Sequence, residues 1–495
     1  MHRVGALTHR VCAVVLLALS VSVPAQAATR PALSAQQLTS IDTFVTAEMK
    51  REHVPGVAVG VYSRGKILLA KGYGTANVEL AVPVKSQTIF QSGSVGKQFV
   101  SAAVMMLVEE GKLSLDDSIT MYFPDAPASW KPILLKNLLS HTSGLSEYET
   151  PERTKPGGPF SFRMDYTEDE LVKNVEALPI ENPPGDKWDY RNTNYLLLGI
   201  LIHRVSGAPY ADFLDRRIFK PLGMSATRLI SDADIIPNRA AGYELHGTEL
   251  KNQEWVSPTF NSTADGTLYF NVLDLARWDA ALYTTQLLKR SSFDRMWTVF
   301  PLNDGKPNPA GYGFAWFIGN QNGHKVIEHG GAWQGFTCDI SRYPDDSLTV
   351  VVLTNLDGGH ARPAMFAHVI AGLADAPLLP PKLTAIADAQ PAIAASLRSL
   401  LDRISAGQDI RDQTTPDLAK LISPEATKSV QQLVSPVWPG GTLTLVMRIP
   451  APNDPTRTLS TFRLTKGDQG LLVSYSLTPD GRIAALRFQP DREYQ

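Results

Sequence analysis

Ile41, Phe44, Val45 and Met49 recur at the three- and four-residue spacing of one helix face, which predicts an amphipathic helix over 41–50. Two strands are expected next, over 56–62 and 67–71, with Ser63-Arg64-Gly65 as the turn between them. From Ser94 to Glu110 the helical period returns. Val95, Phe99, Ala102, Ala103, Met106 and Leu107 share a side, and Gly111 stops the run. The middle of the chain, to about Tyr283, mixes helical runs such as 193–205 and 272–283 with Pro- and Gly-containing loops. Strand character comes back over 312–318, 325–329, 335–343 and 348–353, rich in β-branched and aromatic residues, and a short helix follows over 363–373. Strands at both ends with helices between them predict an α/β fold: one sheet from distant segments, and an inserted helical region.

The pattern changes at Ala376-Pro377-Leu378-Leu379-Pro380-Pro381. This predicts a body over 28–375, a linker over 376–387 and a separate α+β unit over 388–495. The last unit reads as helices over 393–404 and 416–422, then four strands over 443–449, 459–464, 471–477 and 483–488. Pro479-Asp480-Gly481 supplies one of its turns.

Composition adds bounds rather than chemistry. The 495 residues are 43% hydrophobic and 19% charged, ordinary for a globular chain, and the formal charge is −2 with no basic block. Nothing electrostatic points to nucleic acid or to an anionic membrane. His2, Arg3, His9 and Arg10 precede an apolar run over 11–23, too short to span a bilayer, and Ala25-Gln26-Ala27 offers a small-residue cleavage site. Residues 1–27 are therefore expected to be an export signal, with a periplasmic or secreted mature chain that carries no transmembrane segment. Cys12 opens the apolar run instead of closing it, which argues against lipid attachment. The remaining cysteine, Cys338, lies in the alternating segment Phe336-Thr337-Cys338-Asp339-Ile340 and reads as a small core residue.

A serine hydroxyl is a weak nucleophile until a base sits within hydrogen-bond reach. Ser94-Val95-Gly96-Lys97 opens a helix and sets an amine one turn from a hydroxyl, beside the free N–H groups of the helix start. A lysine desolvated there would have its pKa lowered and could accept a proton. The pattern alone is weak, since roughly one match is expected by chance in a chain this long. Ser63-Arg64-Gly65-Lys66 is such a match, in a turn between strands. Tyr190-Arg191-Asn192, entered through Pro184-Gly185, offers a tyrosine as general base and acid and an amide that can orient Lys97. His329-Gly330-Gly331 is expected to end a strand, with glycines admitting a substrate backbone and a titratable histidine donor.

Together these segments resemble the class C beta-lactamase-related serine hydrolases, a family of beta-lactamases, D-alanyl-D-alanine carboxypeptidases, D-aminopeptidases and some esterases. Phe90-Gln91-Ser92-Gly93-Ser94-Val95-Gly96-Lys97 is similar to its first motif, Tyr190-Arg191-Asn192 to its Tyr-x-Asn motif, and His329-Gly330-Gly331 to the H-x-G form of its third. Leu138-Leu139-Ser140-His141-Thr142-Ser143-Gly144-Leu145, Asp274-Leu275-Ala276-Arg277-Trp278 and Tyr312-Gly313-Phe314-Ala315-Trp316 also fit. The resemblance covers 38–373. It implies a mixed, mainly antiparallel sheet flanked by helices, and an acyl-enzyme on Ser94 with Lys97 and Tyr190 handling protons. It further implies an oxyanion hole from the N–H groups of Ser94 and Ala332, and substrate binding by Asn192, His329, Gly330 and Gly331. No cofactor or metal is implied; the substrate would be a small ester, amide or peptide.

Two features depart from the family. His329 stands where the beta-lactamases carry lysine, which tilts away from a dedicated beta-lactamase. Ala264-Asp265-Gly266 stands where small residues and paired glycines are usual; Asp265 could line the site or cap a turn, and the turn is the expected role. Esterase, D-amino-acid peptidase and beta-lactamase-like activity all remain open, as does a non-catalytic penicillin-binding-like scaffold. The C-terminal unit resembles the NTF2-like cone fold in topology alone, as a ligand pocket or as a packing module. The oligomeric state is not legible.

Overall fold

The computed structural model describes residues 30–358, 361–379, 383–451, 454–467 and 469–491. The expected export signal and its cleavage site lie outside the described residues. The chain divides into two compact units, with the boundary between Ala374 and Asp375.

The first unit opens with α1 (Ala35–Glu52), longer than its apolar face predicts because a capping box starts it early. The Ser34 hydroxyl accepts from Gln37 N at 3.2 Å, while the Gln37 side chain accepts from Ser34 N at 2.9 Å. Strands β1 (Gly56–Ser63), β2 (Lys66–Asn77) and β3 (Val82–Pro83) follow, then helices α2 (Lys97–Glu109), α3 (Asn192–Ser206) and α4 (Val272–Ala281) within the helical region. Late in the unit come β4 (Phe317–Gln321), β5 (His324–Trp333), β6 (Phe336–Tyr343), β7 (Leu348–Thr354) and α5 (Pro363–Ala374). The seven strands form one sheet in the order β3-β2-β1-β7-β6-β5-β4. Each pairing is antiparallel, and Val59 faces Val352 across the join between the early and late segments.

Every residue of β1 is buried, as expected of a strand covered on both faces. Ala58 and Tyr62 enter the large core shared with the helical region, while Val57, Val59 and Val61 alternate to the other face. Helix α5 packs on β6 and β7, and α1 packs on α5, with Phe44 edge-on to Phe366 at 5.6 Å. Helix α4 packs on β1, β2 and β7. Helix α2 is buried from Lys97 through Leu107, the signature of a helix enclosed all round.

In the second unit, α6 (Pro391–Ser405), α7 (Pro416–Leu421) and α8 (Pro424–Val434) precede the antiparallel meander β8 (Thr442–Ala451), β9 (Asp454–Lys466), β10 (Gln469–Leu477) and β11 (Ile483–Pro490). Leu397, Leu400, Leu401 and Ile404 share a core with Phe462, Leu464, Val473 and Tyr475. Helix α8 is an element beyond those expected, although Ala426, Val430, Leu433 and Val434 recur on one of its faces; its start is set by the Ser423 cap. Among the described residues, no helix is long and apolar enough to cross a membrane.

One buried ion pair ties helix to sheet. Asp279 of α4 accepts from Arg342 Nε at 3.0 Å, Thr349 Oγ1 at 2.7 Å and Gly65 N at 2.9 Å, and both charged side chains have 0% exposure. The Arg342 guanidinium sits against the rings of Tyr283, Trp297 and Trp316 at 4.9, 5.1 and 5.9 Å. Asp279→Ala leaves that cation buried without its counter-charge. It should cost about 3–5 kcal/mol in the denaturant-induced transition of the first unit. A loss under about 1 kcal/mol would show that rings and neighbours hold Arg342 by themselves.

Candidate active site

Ser94 lies in a single 3₁₀ turn, Gly93–Gly96, and Lys97 is the first residue of α2. The expected helix start is therefore a tighter turn leading into a helix, and the one-turn spacing still brings the side chains together. Lys97 has 0% exposure. Its Nζ donates to Ser94 Oγ at 2.8 Å, to Asn192 Oδ1 at 2.8 Å and to the backbone oxygen of Asp265. Asn192 is the first residue of α3, so a helix start aims its side chain into the site.

His329-Gly330-Gly331 does not end its strand. Strand β5 runs on to Trp333, and the chain turns at Gln334 and Gly335, both with positive φ. The third motif thus sits within the sheet, flat against the nucleophile turn. A Cβ on Gly331 would lie 2.3 Å from Ser92 O and 2.8 Å from Ser94 N; one on Gly93 would lie 2.2 Å from Ala332 N. Only glycine permits this approach, which sets the Gly331–Ala332 backbone against the turn that carries Ser94.

Tyr190 stacks at 4.2 Å on His141, and Lys97 Nζ lies 5.0 Å from its ring centre. Its hydroxyl makes no hydrogen bond to Ser94 or Lys97; it is buried and without a partner among the described residues. His141 accepts at Nδ1 from Arg191 N at 3.2 Å and Asn194 Nδ2 at 3.1 Å. Burial, then the nearby Lys97, holds it well below the usual imidazole range.

The expected titratable donor at His329 is corrected by its surroundings. His329 is 2% exposed, and burial, with the Lys97 charge, lowers its pKa to about 3. Its Nδ1 donates to Gly330 O at 2.5 Å, so Nε2 accepts from the Tyr312 hydroxyl at 3.0 Å. It is a neutral member of an aromatic wall with Tyr312 and Phe317, not a cation for a substrate carboxylate.

Asp265 does stand in a turn, as expected, but it also lines the site. Its carbonyl reaches Lys97, and its Oδ2 accepts from the Tyr148 hydroxyl at 2.6 Å. Two further residues were missed by sequence reasoning. Glu147 Oε2 accepts from the backbone N of Asn192 at 2.6 Å, holding the start of α3, and Glu149 Oε2 accepts from Asn192 Nδ2 at 2.6 Å. Burial, then the charges of Asp265 and Glu147, pushes Glu149 up to about 8 against the pull of Lys97 and Asn192. Burial likewise raises Glu147. The only signal was an acidic pair flanking Tyr148 just beyond the motif-like segment at 138–145, which chain spacing alone cannot connect to Asn192. Cys338 is buried, donates to Ser92 O at 2.8 Å and carries a raised pKa from burial, so it is a core thiol. Among the described residues, no group of three or more His, Cys, Asp or Glu is placed to hold a metal ion.

An antiparallel sheet packed on a helical region, with a Ser-x-x-Lys turn at the head of a buried helix, defines the serine beta-lactamase and penicillin-binding-protein fold class. The Beta-lactamase family model matches residues 41–374, and the chain belongs to that family. Penicillin-binding protein 4* of Bacillus subtilis (strain 168) is 30% identical over 309 residues, 59% of this chain; the chain spans 66% of that protein's length. Two solved structures share the fold. The octameric penicillin-binding protein homologue from Pyrococcus abyssi matches with a TM-score of 0.62 at 23% identity, over 92% of this chain and 97% of that one. D-amino acid amidase from Ochrobactrum anthropi SV3 matches with a TM-score of 0.56 at 24% identity, over 65% and 91%.

The strand-against-turn contact predicts unequal tolerance at adjacent glycines. Gly331→Ala should destabilise by about 1–3 kcal/mol, because the methyl meets backbone. Gly330→Ala, whose nearest neighbour would be Cys338 O at 3.6 Å, should lose far less. Chemical denaturation of the two variants checks this; equal losses would contradict the packing described.

Proposed function

We propose that this chain is an exported serine hydrolase that acts through an acyl-enzyme on an ester or amide. The observation that carries the reading is Lys97, fully buried, with Nζ 2.8 Å from Ser94 Oγ. Lys97 is the group placed to take the hydroxyl proton as Ser94 attacks the carbonyl. The developing oxyanion is met by the N–H groups of Ser94 and Ala332, an arrangement typically worth about 2.7–4 kcal/mol per donor. The unpartnered Tyr190 hydroxyl carries the proton to the leaving group, and water then releases the acyl group. Similarity in fold to D-amino acid amidase and to the D-stereospecific amidohydrolase of Streptomyces supports this class of chemistry. The basic start and short apolar run of the N-terminus support export.

The electrostatics favour an acyl group without a carboxylate beside the scissile bond. His329 is neutral, and Glu147, Glu149 and Asp265 surround the single lysine. The same balance disfavours a dedicated beta-lactamase. The alternative, a binding scaffold without turnover, predicts no covalent adduct.

Treatment with a fluorophosphonate followed by intact-mass measurement should show one adduct, lost in Ser94→Ala and kept in Ser63→Ala. Ser63 is fully buried and accepts from Arg30 N at 2.8 Å, so its own Ser-x-x-Lys match is inert. Undiminished labelling of Ser94→Ala removes the assignment.

A pH series tests the charge balance. Below about 8 Glu149 holds a proton and is neutral; above it, Glu149 adds a negative charge to the site. The kcat/KM for a carboxylate-bearing ester, relative to a neutral ester of similar size, should therefore fall as pH rises through about 8. No step should appear near the ordinary histidine value of ~6.5. Glu149→Gln should flatten the ratio. A wild-type step near ~6.5 would restore His329 as the titrating group.

A further inference from the structure

We propose that Glu149 is a positioning residue: it decides which end of the Asn192 amide faces Lys97, and so aims the Lys97 lone pair at Ser94. The inference rests on the serine-hydrolase reading above.

A neutral lysine amine has two N–H donors and one lone pair. Three groups surround Nζ: Ser94 Oγ, Asn192 Oδ1 and the backbone oxygen of Asp265. The last two can only accept hydrogen bonds. When both are satisfied, they use both N–H groups, and the lone pair is left in the remaining direction, toward the Ser94 hydroxyl. That outcome depends on the Asn192 oxygen facing Lys97. If the amide were turned over, its Nδ2 would donate to the amine and occupy the lone pair needed by Ser94.

Glu149 opposes that turn. Its Oε2 accepts from Asn192 Nδ2 at 2.6 Å, and above pH about 8, where it is ionised, the carboxylate has nothing to donate. Turning the amide would set oxygen against oxygen on one side and take an acceptor from Lys97 on the other. Glu147, gripping the Asn192 backbone N at 2.6 Å, removes the freedom to shift the residue bodily. The groups facing Glu149 are Glu147 on its own loop, Asp265, Lys97 and Asn192. Burial, then the two neighbouring carboxylates, sets how fully Glu149 ionises, and hence how firmly it orders the amide.

A double-mutant cycle on the rate of fluorophosphonate labelling, run above pH about 8 where Glu149 is ionised, tests this, with thermal midpoints measured alongside. Glu149→Met should slow labelling roughly 10- to 100-fold, the usual scale for misdirected catalytic groups. In an Asn192→Ala background, where there is no amide to orient, the same Glu149→Met change should alter the rate by less than about twofold. Equal slowing in both backgrounds overturns the inference, because Glu149 would then act without Asn192. A second readout does not depend on labelling. The nuclear Overhauser effect between the Asn192 Nδ2 protons and the Lys97 ε-methylene should be weak in the wild type and stronger in Glu149→Met. An effect unchanged by the substitution overturns the inference even if the chain never labels; absent wild-type labelling, by contrast, would count against the serine-hydrolase reading alone.

Discussion

A lysine nitrogen with no exposed surface must find oxygen atoms inside the protein, because an unsatisfied ammonium or amine is costly to bury. Lys97 finds three, and they come from three separate parts of the chain: Ser94 in the turn before α2, Asn192 at the head of α3, and the carbonyl of Asp265 in a turn before α4. Satisfying one nitrogen therefore pins the helical region together at the point where it meets the sheet. The third motif closes the site from the sheet side, through contacts that leave no room for a side chain on Gly93 or Gly331.

Around that nitrogen the charge is lopsided. Glu147, Glu149 and Asp265 supply carboxyl groups near Lys97, while another wall is aromatic, formed by Tyr190, Tyr312, Phe317 and a neutral His329. Burial explains both halves. It pushes the Glu147 and Glu149 carboxyls up and the His329 imidazole down, so each is driven toward its uncharged form. Lys97 and the Asn192 amide pull Glu149 the other way. Glu149, in the middle, titrates where small changes in its neighbours matter.

Much of the architecture was legible in the residues. The alternation of β1 and the late strands marked the sheet, and apolar spacing marked α2, α3 and α4 within a few residues. Errors came where local chemistry overrode periodicity. The Ser34 cap lengthened α1, strand β5 ran through His329-Gly330-Gly331 because the glycines pair across to β6, and the Ser423 cap started α8, whose short apolar face lies between loops. Of the site, Ser94, Lys97, Tyr190, Asn192 and His329 were all singled out, because motif spacing along one helix or strand is a local property.

What the sequence by itself determined is which side chains are one turn apart, Ser94 and Lys97 among them, and which segments carry strand or helix character. Only the tertiary structure decided that His329 would be buried and neutral, that Asp265 would turn its carbonyl to Lys97, and that Glu149 would reach an amide 43 positions away. The physical reason is that protonation and hydrogen-bond direction depend on burial and on partners from distant segments. Neither is carried by the spacing of residues along a chain.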